Sequence, residues 1–100
     1  MSSKKKAIRQ KFRDDVFSRD GYKCKICSSK DELDAHHITD RNELPNGGYI
    51  VENGITLCKE CHKQAEEFHR TGTSVDGFSA EDLYKKIGSS LEIVKQILRV

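Results

Sequence analysis

Two pairs of closely spaced cysteines constrain the fold of this 100-residue chain more than any other feature. Cys24 and Cys27 form one C-x2-C pair, and Cys58 and Cys61 form another after thirty intervening residues. Together they supply four thiolates, the closed tetrahedral set that zinc prefers at structural sites. A redox pair needs only one such motif, and disulfides are disfavoured in a reducing compartment. The spacing therefore predicts a structural Zn2+ with no open position for chemistry.

The hydrophobic core is expected to be thin, which makes the metal important for folding. Only 35% of the residues are hydrophobic, whereas 34% are charged. A chain of this length has room for one compact domain but not for two stable cores, so we expect residues 1–100 to form a single domain. Folding should depend on the zinc, because the core alone would have to hold the long segment between Lys30 and Gly54.

The apolar pattern predicts an α+β fold built around this zinc site. Residues 1–6 are expected to form a basic flexible arm. Residues 7–20 should form a helix, whose apolar face contains Ile8, Phe12, Val16 and Phe17. Residues 21–70 should form the zinc-bound core, with short strands over residues 33–39 and 54–57 and a helix over residues 61–70.

Residues 79–100 are predicted to add two further helices. Ser79 precedes Asp82 by three positions and Ser89 precedes Glu92 by three, which is the spacing of a capping box. The second helix has an apolar stripe that consists of Leu91, Val94, Ile97 and Leu98. We expect this stripe to pack on the domain's own core, and the alternative is a surface for a partner.

Charge is distributed unevenly along the chain. The first thirteen residues contain six basic and no acidic residues, whereas residues 14–69 contain seven basic and twelve acidic residues. This arrangement suits a protein whose basic segment holds a polyanion while its acidic centre holds cations. The candidate DNA-binding residues are Lys4, Lys5, Lys6 and Arg9, and the alternative is a tail that only aids solubility. No apolar run approaches the ~20 residues of a membrane span, and no signal peptide is apparent. We therefore expect a soluble cytoplasmic protein with no membrane partner.

The histidines are placed where the zinc site would bring them together. His36 and His37 are adjacent on a predicted strand, so their side chains should point to opposite faces and have different roles. One of them is a candidate metal ligand and the other a candidate base. His62 follows Cys61 directly, so its helix should face that strand.

In residue type, order and spacing the chain resembles the HNH endonuclease family, in its subgroup with a four-cysteine zinc. The resemblance covers roughly residues 12–70. The matching motifs are Gly21-Tyr22-x-Cys24-x-x-Cys27, Leu33-Asp34-Ala35-His36-His37-Ile38, Gly47-Gly48, Asn53 and Leu57-Cys58-x-x-Cys61-His62. The resemblance implies a ββα-metal fold, in which two strands and a helix hold a divalent ion for hydrolysis of phosphodiester bonds in DNA.

The resemblance also implies a role for each matching position. His36 and His62 would be ligands of the catalytic ion, which the family takes as Mg2+, Mn2+, Ni2+ or Zn2+. His37 would be the general base, and Asn53 would orient that base or brace its loop.

Two further residues of the predicted helix are candidates for the same ion. Glu66 lies four positions after His62 on the same helix face, and it is either an additional ligand or a solvent-facing carboxylate. His69, seven positions after His62, is a weaker candidate.

Two functions of different class are compatible with these residues. The first is a metal-dependent DNA endonuclease, and the second is a non-catalytic, zinc-stabilised nucleic-acid-binding module. No helix is rich in Arg, Asn and Gln, so we expect weak sequence preference. Small HNH proteins occur in phage genomes and in restriction systems, which makes a targeting or packaging protein a candidate partner and a phage-infected bacterium a candidate setting. The residues do not choose among these settings, nor do they specify the oligomeric state.

Overall fold

The structure is a computed structural model that describes residues 2–99. Its regular elements, in chain order, are α1 (Ser2–Arg19), β1 (Asp34–His37), β2 (Gly54–Leu57), α2 (Lys59–Thr71), α3 (Ala80–Lys86) and α4 (Leu91–Leu98). Three short 3-10 turns lie between β1 and β2. The predicted α+β class is confirmed, and β1, β2 and α2 form a ββα unit between the terminal helices.

The two strands form an antiparallel hairpin whose register determines where the histidines lie. His36 pairs with Ile55 and His37 pairs with Gly54. Successive side chains on a strand alternate between faces. The His36 ring accordingly meets His62 of α2, at 5.2 Å between ring centroids, and the His37 ring stacks on Phe12 of α1 at 4.4 Å. The hairpin therefore separates two helices, with one histidine on each side.

Helix α1 packs closely against β2. Phe12 and Val16 are buried, and a Cβ atom at Gly54 would lie 2.5 Å from Val16 Cγ2, so only glycine permits this approach. At the end of α1 the Arg19 guanidinium donates to the carbonyl oxygens of Val51 and Gly54, at 2.7 Å each. These hydrogen bonds hold the end of α1 against the turn before β2 and against the first residue of that strand.

Helix α1 is longer than the sequence predicted. It begins at Ser2 instead of residue 7, so Lys4, Lys5 and Lys6 are helical rather than part of a flexible arm. The physical reason is that lysine, alanine, arginine and glutamine are good helix formers and that no Gly or Pro interrupts the run. Ile8, expected on the buried face, is 46% exposed. Met1 lies outside the described residues.

The C-terminal helices match their predicted positions, with one correction to the cap of α4. Ser79 caps α3 by accepting a hydrogen bond from the Asp82 backbone N–H, as predicted. Helix α4 is capped by Ser90 instead of Ser89, because the Ser89 hydroxyl donates to the Glu52 carbonyl and its N–H donates to the Tyr84 carbonyl.

The apolar stripe of α4 is only half buried. Val94 is fully buried and Leu98 packs against the core, whereas Leu91 and Ile97 are 38% and 46% exposed. The predicted 79–100 unit includes Val100, which lies outside the described residues. No helix within residues 2–99 has both the length and the apolar character needed to cross a membrane.

Candidate metal and active site

The four cysteines lie together between the end of α1 and the start of α2. All four Sγ atoms are within 4.8 Å of one another, and those of Cys27 and Cys58 are 3.5 Å apart. A tetrahedral zinc with Zn–S bonds of about 2.3 Å places its sulfurs about 3.8 Å apart. The cluster thus has the residue types and the dimensions of a structural zinc site.

The surroundings of the thiols also suit a cation. Burial opposes ionisation of Cys24, yet backbone N–H groups of Cys27, Cys58 and Ile26 lower the pKa of its thiol to about 7. Burial, together with the neighbouring thiols of Cys58 and Cys24, raises the pKa of Cys61 far above its usual value. Four thiols this close oppose each other's ionisation, and a cation between them removes that penalty.

A second cluster of potential ligands consists of His36, His62 and Glu66. Each contributes one donor atom, and the three atoms lie within 4.8 Å of one another. Glu66 Oε1 is 3.1 Å from His62 Nε2 and 3.8 Å from His36 Nδ1. Donors about 2.1 Å from a tetrahedral ion are about 3.4 Å apart, so these spacings fit a divalent ion. The Glu66 carboxylate is therefore a third candidate donor beside the two histidines.

Further groups surround this cluster on both sides. The Asp34 carboxylate lies 3.5 Å from His62 Nε2 and also 3.5 Å from an Arg13 guanidinium nitrogen. His69 stacks on the His36 ring at 4.8 Å, and its Nε2 lies 3.0 Å from the Ile38 carbonyl oxygen. The His69 ring is therefore hydrogen-bonded to the main chain beside His36.

His36 is held in its neutral form. Its ring is buried, and burial lowers its pKa to about 3, with smaller contributions from His69, His62 and His37. Its Nδ1 is the nitrogen that lies toward Glu66, and its Nε2 is buried with no hydrogen-bond partner among the described residues. The neutral imidazole is the form in which histidine binds a metal.

His37 lies on the opposite face of β1 and is held by two aromatic rings. Phe12 stacks on it with 19° between the ring planes, and Tyr49 meets it edge-on at 4.7 Å. Burial, and then the positive charge of Arg41, lower the pKa of His37 to about 4. At neutral pH the ring is therefore uncharged, and its Nε2 is buried with no hydrogen-bond partner among the described residues.

Asn53 is completely buried, and its side chain braces the segment that follows β1. Its Oδ1 accepts hydrogen bonds from the Thr39 N–H at 2.9 Å and the Tyr84 hydroxyl at 2.7 Å. Its Nδ2 lies 3.2 Å from both the Thr39 and Gly48 carbonyl oxygens. The amide is fully satisfied by these contacts, and none of them is to His37 or to the metal ligands.

One cavity of about 310 Å³ lies beside β1. His36 and His37 both line it, so the candidate base and the candidate ligands reach the same space. Its remaining lining residues are Asp34, Ala35, Asp40, Arg41, Asn42, His62, Glu66 and His69. The arrangement can hold a cation and place a neutral imidazole beside it.

A basic groove runs from this cavity along α1. It is lined by Lys6, Arg9 and Arg13 of the helix, together with His37, Arg41 and Tyr49. Lys5 lines an adjoining depression with Arg9, Arg41 and Tyr49, whereas Lys4 lines neither. Three of the four basic residues expected to bind DNA thus lie on one surface.

Sequence reasoning missed the residues that enclose these sites. Arg41 and Tyr49 belong to the segment between the strands, where hydrophobic periodicity carries no signal, and Tyr84 is in α3. Phe12 was placed on the buried face of α1, but its contact with His37 was not foreseen.

Comparison with protein families identifies one match. The HNH endonuclease family model matches residues 24–68, which include both cysteine pairs and the cluster of His36, His62 and Glu66. Helix α1 lies outside the matched segment, as do His69, α3 and α4. The search of curated proteins and the search of solved structures found no match.

Proposed function

We propose that the protein is a metal-dependent endonuclease that hydrolyses phosphodiester bonds in DNA, because residues 24–68 match the HNH endonuclease family model. The family implies a nucleic-acid substrate, and the fold is of the nuclease type. Cleavage, the roles of individual residues and the choice of DNA are part of the proposal.

One observation carries the proposal: a metal-ligand cluster and a neutral histidine line the same cavity. His36, His62 and Glu66 offer two imidazoles and a carboxylate at ligand spacing. His37 enters the cavity from the other face of the strand, beside the basic groove. A binding module has no need for an unprotonated imidazole next to a ligand cluster, whereas hydrolysis of a phosphodiester uses both.

His37 is the general base in this proposal. Its neutral ring accepts a proton from a water molecule as the water oxygen attacks phosphorus, and the bond from phosphorus to the leaving 3′ oxygen breaks. The leaving oxygen then takes a proton from solvent. Phe12 and Tyr49 restrict the ring to one orientation, which lowers the entropic cost of reaching the reactive geometry.

His36, His62 and Glu66 would hold the catalytic divalent ion. When bound, such an ion stabilises the negative charge that develops on the phosphate and on the leaving oxygen. His36 is buried and stacked on His69, so its ring is held in place before an ion arrives. Asn53 contributes indirectly, since it fixes the Thr39 backbone two residues after His37.

The zinc at the four cysteines has a different task. Cys58 caps the start of α2 and Cys61 directly precedes His62, so a tetrahedral ion there would fix the start of α2 and the direction in which His62 points. The exposed basic residues Lys5, Lys6 and Arg9 of α1 would attract the DNA backbone without reading bases.

The test is a cleavage assay with the zinc-loaded protein, supercoiled plasmid DNA and added Mg2+, Mn2+ or Ni2+. We expect nicked or linear DNA with the unaltered protein and a rate about 10²–10⁴-fold lower with His37→Ala, the usual contribution of a general base. Zinc content and circular dichroism of the variant check that its fold is retained.

The alternative of a non-catalytic binding module makes the opposite prediction. Plasmid DNA would stay intact with every metal, and His37→Ala would bind DNA as well as the unaltered protein does. That outcome would reject the proposed endonuclease.

A further inference from the structure

We infer that Arg9, Arg41 and Tyr49 form a phosphate-binding site, which holds a backbone phosphate of the substrate next to the phosphate that is cleaved. The inference rests on the proposed function for its substrate. It adds a site that joins α1 to the segment between the strands.

The site is organised around the Tyr49 hydroxyl. The Arg41 guanidinium donates a hydrogen bond to this oxygen at 3.1 Å. Arg9 lines both the basic groove and the adjoining depression together with Arg41 and Tyr49. Burial opposes ionisation of Tyr49, but hydrogen bonds and charge from Arg41 and Arg9 lower its pKa. Two guanidinium groups, from separate parts of the chain, thus lie beside one phenol, and Arg41 donates to its oxygen.

These two arginines differ from Arg13 because no carboxylate pairs with them. Within residues 2–99, Arg13 forms an ion pair with Asp34, while neither Arg9 nor Arg41 forms an ion pair with a carboxylate, and Asp40 interacts with Arg41 only weakly through its charge. Two like charges held together are unfavourable unless an anion lies between them. A phosphodiester suits this position, because its oxygens accept hydrogen bonds from guanidinium groups in a matching planar geometry.

The position of the site relates it to the cleavage step. Tyr49 contacts the His37 ring directly, and Arg41 lines both the cavity of His36 and His62 and the groove along α1. A strand whose cleaved phosphate lies in that cavity therefore continues past Arg41 toward Arg9. Tyr49 acts as a positioning residue, since its hydroxyl orients Arg41 while its ring packs on the base.

The experiment measures binding of a short DNA duplex as a function of salt, in a His62→Ala background that keeps the DNA intact. Loss of one phosphate contact reduces the slope of log K against log salt by about 0.9. We expect this change for Arg41→Gln and for Arg9→Gln, with binding about tenfold weaker in low salt. Arg99→Gln removes an exposed arginine at the end of α4 and is the matched control.

Tyr49→Phe tests the positioning role, because it keeps the ring against His37 and removes only the hydroxyl. It should weaken DNA binding in the His62→Ala background, and the effect should be smaller when Arg41→Gln is also present, since the hydroxyl acts through that guanidinium.

Equal slopes for Arg41→Gln, Arg9→Gln and Arg99→Gln would overturn the inference, and so would an absence of salt-dependent binding. Because binding is measured without cleavage, the two proposals fail separately. A protein that shows the predicted slopes but never cuts plasmid DNA would reject the endonuclease and leave the phosphate site standing.

Discussion

The two ligand clusters share one helix but differ in every property that decides what a metal does. The cysteine cluster has four donors of one kind, three of them buried, and a tetrahedral ion bound to all four has no position left for a water molecule. The cluster of His36, His62 and Glu66 has three mixed donors at the wall of a cavity of about 310 Å³. The comparison teaches that the number of donors, rather than residue type alone, separates a closed metal site from one that leaves a position open to water or substrate.

The first site also builds the second. Cys61 and His62 are consecutive, and Glu66 lies one turn further along α2. Any shift of the helix start would move both candidate ligands, His62 and Glu66, relative to His36 on β1. The predictions below remove one cluster at a time and ask whether the other survives.

The largest effect is expected for Cys58→Ser. Zinc binding contributes about 10–16 kcal/mol in small zinc domains, which equals or exceeds the ~5–15 kcal/mol stability of a typical domain. We therefore expect the variant to lose its zinc and its cooperative thermal unfolding, measured by metal analysis and circular dichroism. A folded, active Cys58→Ser protein would show that folding does not depend on the cysteine cluster.

His62→Ala should have the converse result. The variant is expected to keep its zinc and its thermal transition, since His62 is partly exposed and is not a cysteine-cluster ligand. Its affinity for the added divalent ion should fall at least ~100-fold, because even outer partners of metal ligands are worth 10–100-fold. Isothermal titration with Mn2+ measures this, and loss of zinc from the variant would break the distinction between the sites.

Glu66→Gln sharpens the comparison by testing the third donor. Replacing the carboxylate with an amide removes the anionic ligand, so Mn2+ affinity should fall about 10–100-fold. Glu67→Gln is the matched control, because Glu67 is adjacent on α2 and pairs with Arg70 outside the cluster. If both variants bind Mn2+ with the same affinity, Glu66 is a solvent-facing carboxylate and not a ligand.

The smallest effect is expected for Tyr84→Phe. The variant removes one hydroxyl that contacts Asn53 Oδ1 at 2.7 Å and Thr39 Oγ1 at 2.6 Å. Loss of such a bond costs about 1 kcal/mol of unfolding free energy, measured by urea titration. Plasmid cleavage should slow without any change in zinc content. An unchanged cleavage rate would mean that α3 does not influence the segment after His37.

Much of this arrangement could be predicted because it depends on local spacing. The C-x2-C pairs indicate four thiolates, and adjacency on a strand separates His36 from His37. An i, i+4 relation on a helix places Glu66 beside His62, although it did not decide between ligand and surface carboxylate.

The remainder depends on packing between distant segments. Tyr49 reaches His37 because the 3-10 turns fold back over the hairpin, and Tyr84 reaches Asn53 only after α3 docks on the core. Hydrophobic periodicity does not encode such contacts. The cap of α4 shows the same limit on a smaller scale, since the local spacing to Glu92 favours Ser89, whereas the contact of the Ser89 hydroxyl with the distant Glu52 carbonyl leaves Ser90 as the cap.

The most direct test of the two-site account is a titration of cleavage activity with Mg2+ or Mn2+ at constant zinc content. Protein that carries one zinc per chain should be folded and inactive, and its cleavage rate should rise to saturation as the second ion is added while the zinc remains bound. Full activity with one zinc and no added ion would contradict the account, as would activity gained only when the zinc is displaced.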